Sequence, residues 1–68
     1  MFDRNKFKYA VSTKGYTLEN IADYLGINAV TLWRKMNGSS DFTRAEIQSL
    51  RGYLELSVQE VDEIFFVQ

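Results

Sequence analysis

The chain of 68 residues contains no cysteine, no histidine and no proline. Without cysteine it has no disulfide framework, which suits a reducing cytoplasm. Without histidine or cysteine it has no imidazole base, no thiolate nucleophile and none of the usual ligands of a zinc site. No enzyme is therefore expected, and no cofactor or metal. Glu60, Asp62 and Glu63 lie close together in the chain, but no glycine-punctuated loop of alternating oxygen ligands surrounds them. They read as a solvated helix face. Long apolar runs are also missing. The longest is Ile64 to Val67, far short of the roughly 20 residues that a membrane span needs. The first residues are charged from Asp3 onward and lack the apolar segment and small-residue cleavage site of a secretory signal.

No low-complexity tract or internal repeat is visible, and 46% of residues are hydrophobic against 25% charged. This balance predicts one compact soluble domain over 1–68, with a core modest enough that net stability is about 3–5 kcal/mol.

Helix starts and stops are written clearly enough to predict five short helices. Asp3 can cap a first helix over about 3–14, with Phe7, Ala10 and Val11 at three- and four-residue spacing and Gly15 just past its end. Thr17 caps a second that ends near Leu25, Glu19 favours its positive end, and Tyr16 can staple onto Ile21. Gly26 then supplies a left-handed turn, and Asn28 caps a third helix that Asn37 and Gly38 close. Thr43 with Glu46, and Ser57 with Glu60, are capping boxes for the fourth and fifth. Gly52 within the fourth costs about 1 kcal/mol relative to alanine, which a closely packed neighbour would explain. The expected core comprises Val11, Ile21, Ala22, Leu25, Ile27, Leu32, Met36, Ile47, Leu50 and Leu54, joined by Val58, Val61 and Ile64. Ile64 and Phe65 continue the packed face of the last helix, whereas Phe66 and Val67 offer an edge for weak self-association, leaving monomer and weak homodimer both open.

The stretch from Tyr16 to Gly38, YTLENIADYLGINAVTLWRKMNG, resembles the helix-turn-helix of the lambda-repressor and Cro-like family of phage regulators. Thr17 opens its first helix, Ile21 and Ala22 form the hydrophobic-plus-small pair, Gly26 makes the turn, Leu32 is the buried residue of the recognition helix, and Asn37 with Gly38 closes it. The flanking helices fit the same architecture. The resemblance thus implies an all-α, five-helix lambda-repressor-like domain with its helix-turn-helix unit at about 17–37. A small residue such as Ala22 allows the two helices to cross closely.

In that family, the two residues after the recognition-helix cap and one a turn later commonly read bases, and a glutamine after the preceding cap grips phosphate. Here these positions hold Ala29, Val30, Arg34 and Leu18. Bidentate base reading needs Arg, Lys, Asn or Gln, and only Arg34 qualifies. Thr31, Lys35 and Asn37 offer phosphate or polar contacts, with a solvated basic face as the plain alternative for Arg34 and Lys35. Trp33 either covers a flank of the core or joins Ala29 and Val30, with Leu18 and Tyr24 nearby, in an exposed apolar patch. Aromatic residues with an arginine at the rim are the composition of protein-interface hot spots.

Charge divides along the chain. Residues 1–38 hold six Lys/Arg and three acids, whereas residues 39–68 hold two and six. The net charge is −1 and the pI near 5.2, unlike the strongly basic footprint of a small autonomous DNA binder.

A partner-binding surface of Leu18, Asn28, Ala29, Val30, Thr31, Trp33, Arg34, Lys35 and Asn37 is therefore expected. Its functional resemblance is to the small modulator-of-repression proteins of temperate phages of Gram-positive bacteria, acting in the bacterial cytoplasm. This implies a phage repressor as partner, masked from its operator, with acids such as Asp41 pairing to its basic residues. The alternative is a Cro-like repressor that binds operator DNA directly.

Overall fold

The structure, a computed structural model, describes residues 1–68. It is all-helical: α1 (Arg4–Thr13), α2 (Leu18–Leu25), α3 (Ala29–Met36), α4 (Arg44–Tyr53) and α5 (Val58–Phe65). None is long and apolar enough to cross a membrane.

Every helix begins on a side chain that accepts from an otherwise unpartnered backbone N–H. Asp3, Thr17, Asn28, Thr43 and Ser57 accept from the amides of Lys6, Asn20, Thr31, Glu46 and Glu60 respectively. Thr43 with Glu46 and Ser57 with Glu60 form the reciprocal capping boxes expected of them. Thr17 forms one as well, with the Asn20 amide oxygen in the role that glutamate or glutamine usually fills.

The first four helices end alike, in Schellman turns. Tyr16, Ile27, Ser39 and Leu56 each donate back to the residue five positions earlier: Val11, Ala22, Arg34 and Arg51. The turn needs one left-handed residue. Gly15, Gly26 and Gly38 supply it in three cases, and Glu55, at φ 52°, in the fourth.

These reversals gather one core of 13 buried residues drawn from all five helices. Phe7, Ile21, Leu50 and Leu54 are its most completely enclosed side chains. Phe7 and Ala10, on the apolar face expected of α1, and Phe65, on the packed face expected of α5, belong to it, as does Leu56, which carried no such expectation, while Leu25, Ile27 and Ile47 pack against it only half-buried. Val58 corrects the expectation: it stands at the start of α5, 59% exposed, and Leu56 fills the inward position instead because the turn after α4 points it there. Gly52 also departs from expectation, for a side chain there would meet no atom within 4 Å, and nothing in the structure explains the glycine.

Phe2 and Phe42, from segments outside the helices, join Phe7 and Phe65 in an aromatic cluster with ring centroids 5.0–6.1 Å apart. The two ends of the chain are clasped together nearby. Met1 and Val67 exchange backbone hydrogen bonds of 3.0 and 2.8 Å, and the Asp3 amide donates to the Ile64 carbonyl. Val67 thus spends its backbone within the chain, leaving Phe66, 54% exposed, as the open part of that edge.

Candidate functional site

α2 and α3 pack against each other across the Gly26 reversal, and a cleft of about 460 Å³ opens along their seam. Its geometry follows from two caps and one turn. The Thr17 cap starts α2 so that Leu18 and Ala22 fall one turn apart on the side facing α3. Gly26, at φ 71°, reverses the chain, and Ile27 turns towards the interior. The Asn28 cap then starts α3, placing Ala29, Leu32, Trp33 and Met36 opposite α2. Ala22, Leu32 and Met36 are buried and form the floor. Leu18 and Ile27 are half-buried walls, and Trp33, 64% exposed, stands at the lip.

Electrostatically the cleft is one-sided. Glu19 and Asp23, one turn apart on α2, edge it, and no lysine or arginine lines it. A cleft with an apolar floor and a carboxylate rim favours a ligand that is itself apolar with cationic flanks, and it repels phosphate.

The expected contact residues divide into three groups. Leu18, Asn28, Ala29 and Trp33 line the cleft. Val30, 58% exposed, and Arg34 stand on the outer face of α3 beside it. The remaining three are engaged in structure. Thr31 is half-buried, and its amide donates to the Asn28 cap at 2.7 Å. Asn37 donates to the Trp33 carbonyl at 2.8 Å and accepts from Arg4, so its amide closes α3 and ties it to the start of α1.

Lys35 is the clearest correction. Only 9% exposed, it turns inward to pair with Glu46 at 3.0 Å and to donate to the Asp41 carbonyl at 3.0 Å, with its ammonium 5.9 Å from the Phe42 ring centroid. Burial pushes the Glu46 carboxyl up, but the Thr43 backbone amide and Lys35 outweigh that and hold it below its ordinary value. Lys35 therefore locks α3 to the loop and helix that follow, and is not free to meet a phosphate. Tyr24 is likewise removed from the patch. It stacks on Tyr53 at 4.0 Å, and Tyr53 in turn on Tyr16 at 4.5 Å, away from the cleft. Enclosure in this stack raises the Tyr53 phenol, with the neighbouring Tyr16, Tyr24 and Asp23 adding to the effect.

Compared with family models, characterised proteins and solved structures, the chain matches none. The site is thus read from its own chemistry. Glu19 and Asp23, which edge the cleft, lie outside the contact surface expected from the sequence. Their four-residue spacing beside Leu18 and Ala22 was the available signal, once α3 was known to lie against that side.

Proposed function

We propose that this chain is a lambda-repressor-like helix-turn-helix protein that regulates a phage genetic switch by binding the phage repressor rather than the operator. On this reading α2, the Gly26 turn and α3 are the helix-turn-helix unit, and the cleft along them receives the repressor's DNA-binding domain. One observation carries the proposal: where a DNA reader would present cations, no lysine or arginine lines this cleft, and its apolar floor is edged by Glu19 and Asp23. Those carboxylates suit the basic side chains with which a repressor grips DNA, so occupation of the cleft masks the same residues that the operator needs. Trp33, large and exposed, serves as the anchor, with Val30 and Arg34 flanking it.

Arg34 favours a second reading. It is exposed on α3 at a base-reading position of the resembled family, and the first 38 residues carry a surplus of cations. A Cro-like protein would use it to read guanine. The two readings separate in mixing experiments with the repressor encoded beside this chain. Repressor binding predicts a stoichiometric complex that Trp33→Ala weakens by about 2 kcal/mol, roughly thirtyfold, with little effect on folding because the ring is largely outside the core. Val30→Asp should weaken it similarly by placing a charge in the apolar contact. Nanomolar binding of operator DNA by the isolated protein, with a steep loss on adding salt, would instead establish the Cro-like reading.

A further inference from the structure

A second groove, of about 480 Å³, lies between α4 and α5 and differs in charge from the first. Its apolar part is Ile47, Val61 and Phe66, and its rim is Arg44, Gln48 and Arg51 of α4. The rim residues recur at four and then three positions, which puts them in one stripe along the helix. Both guanidiniums are exposed and neither has an ion-pair or hydrogen-bond partner, since the molecule's one ion pair joins Lys35 and Glu46. Arg51 has a structural reason to be there, because a cation in the last turn complements the helix dipole. Arg44 has the opposite. It follows the Thr43 cap directly, at the positive end of α4, where a cation is unfavourable and an acid would help. The helix dipole thus gives no reason for a cation at Arg44, which stands unpaired beside the apolar groove.

We propose that the α4–α5 groove binds a helical segment of a protein partner bearing two carboxylates seven residues apart, with apolar side chains between them. Seven residues of helix span about 10 Å, so such a pair meets Arg44 and Arg51 together. Apolar side chains three and four positions after the first carboxylate then fall against Ile47, Val61 and Phe66. The apolar floor favours protein over nucleic acid, because phosphate contact would use the arginines and leave it uncovered. The surface is separate from the α2–α3 cleft, and the inference stands or falls independently of the repressor reading.

The test is an NMR titration of the ¹⁵N-labelled full chain with two synthetic helical peptides of about 18 residues, long enough to hold helix. One carries Glu at positions i and i+7 with Leu at i+3 and i+4, and the other carries Lys in place of both Glu. The glutamate peptide should shift the amides of Ile47, Gln48, Arg51, Val61 and Phe66 and bind about tenfold more tightly than its lysine counterpart at low salt. The double variant Arg44→Glu with Arg51→Glu, whose folding is checked by unchanged resonances of Leu32 and Phe7, should reverse that preference. Equal binding of the two peptides, or no shifts at about 1 mM peptide, would overturn the proposal. So would a stronger response of the same amides to duplex DNA, or a dimer of the protein alone that already covers them.

Discussion

Glu55 stands in the left-handed region at φ 52°, the position that glycine fills after α1, α2 and α3. A β-carbon there costs about 1–2 kcal/mol, part of which a glycine would return through greater freedom of the unfolded chain. Glu55→Gly should therefore stabilise the protein by about 0.5–1 kcal/mol, raising Tm by a few degrees in a thermal melt. Gly26 is the converse case, since any other residue at φ 71° strains the reversal that forms the cleft. Lys35 supplies a second residue-level prediction. Lys35→Met keeps the aliphatic stem but removes the Glu46 pair and the Asp41 carbonyl bond, and should cost about 1–2 kcal/mol in denaturant unfolding. Its partner affinity should not change, because the side chain faces away from the cleft; a large loss of affinity in the folded variant would return Lys35 to the contact surface.

At the scale of elements, local rules were legible and distant ones were not. All five caps could be read because each joins residues three apart in the chain, and the glycine reversals could be read for the same reason. The inward turn of Lys35 could not, since its partners arrive through the loop after α3 and from α4. Nor could the packing of half-buried Phe2 and Phe42 against the core, since they belong to no helix and so have no periodicity to reveal a face. Val58 shows the limit from the other side: it fits the apolar pattern of α5, but as the first helical residue it lies beyond the edge of the core. The capping boxes also set an acid limit. The Glu60 carboxyl is held below its ordinary value by the Ser57 backbone amide and hydroxyl, and Glu46 is lowered as well. A depressed folded-state pKa gives stability that is complete above the unfolded value, about 4.3, and is lost as pH falls through the folded value. Thermal stability should accordingly decline from about pH 5 downward, and Glu46→Gln with Glu60→Gln should flatten that decline relative to the parent.

For the whole molecule, the two grooves give opposite signals: a carboxylate rim along α2 and an arginine rim along α4, on a chain of net charge −1. The surplus of cations falls in the half of the chain that holds α2 and α3. In the fold, however, Arg4 bonds to Asn37, Lys35 is buried, and none of the six cations of that half lines the cleft. Sequence-wide charge counting thus missed what the seam between two helices exposes. The proposed protein recognition at this seam is best tested by competition: fluorescently labelled operator DNA bound to the proposed repressor partner, titrated with this chain and followed by anisotropy. The account predicts stoichiometric release of the DNA, weakened by Trp33→Ala and by Val30→Asp in variants that remain folded. Retention of the DNA by the repressor, with the added chain itself binding free operator at nanomolar concentration, would contradict it.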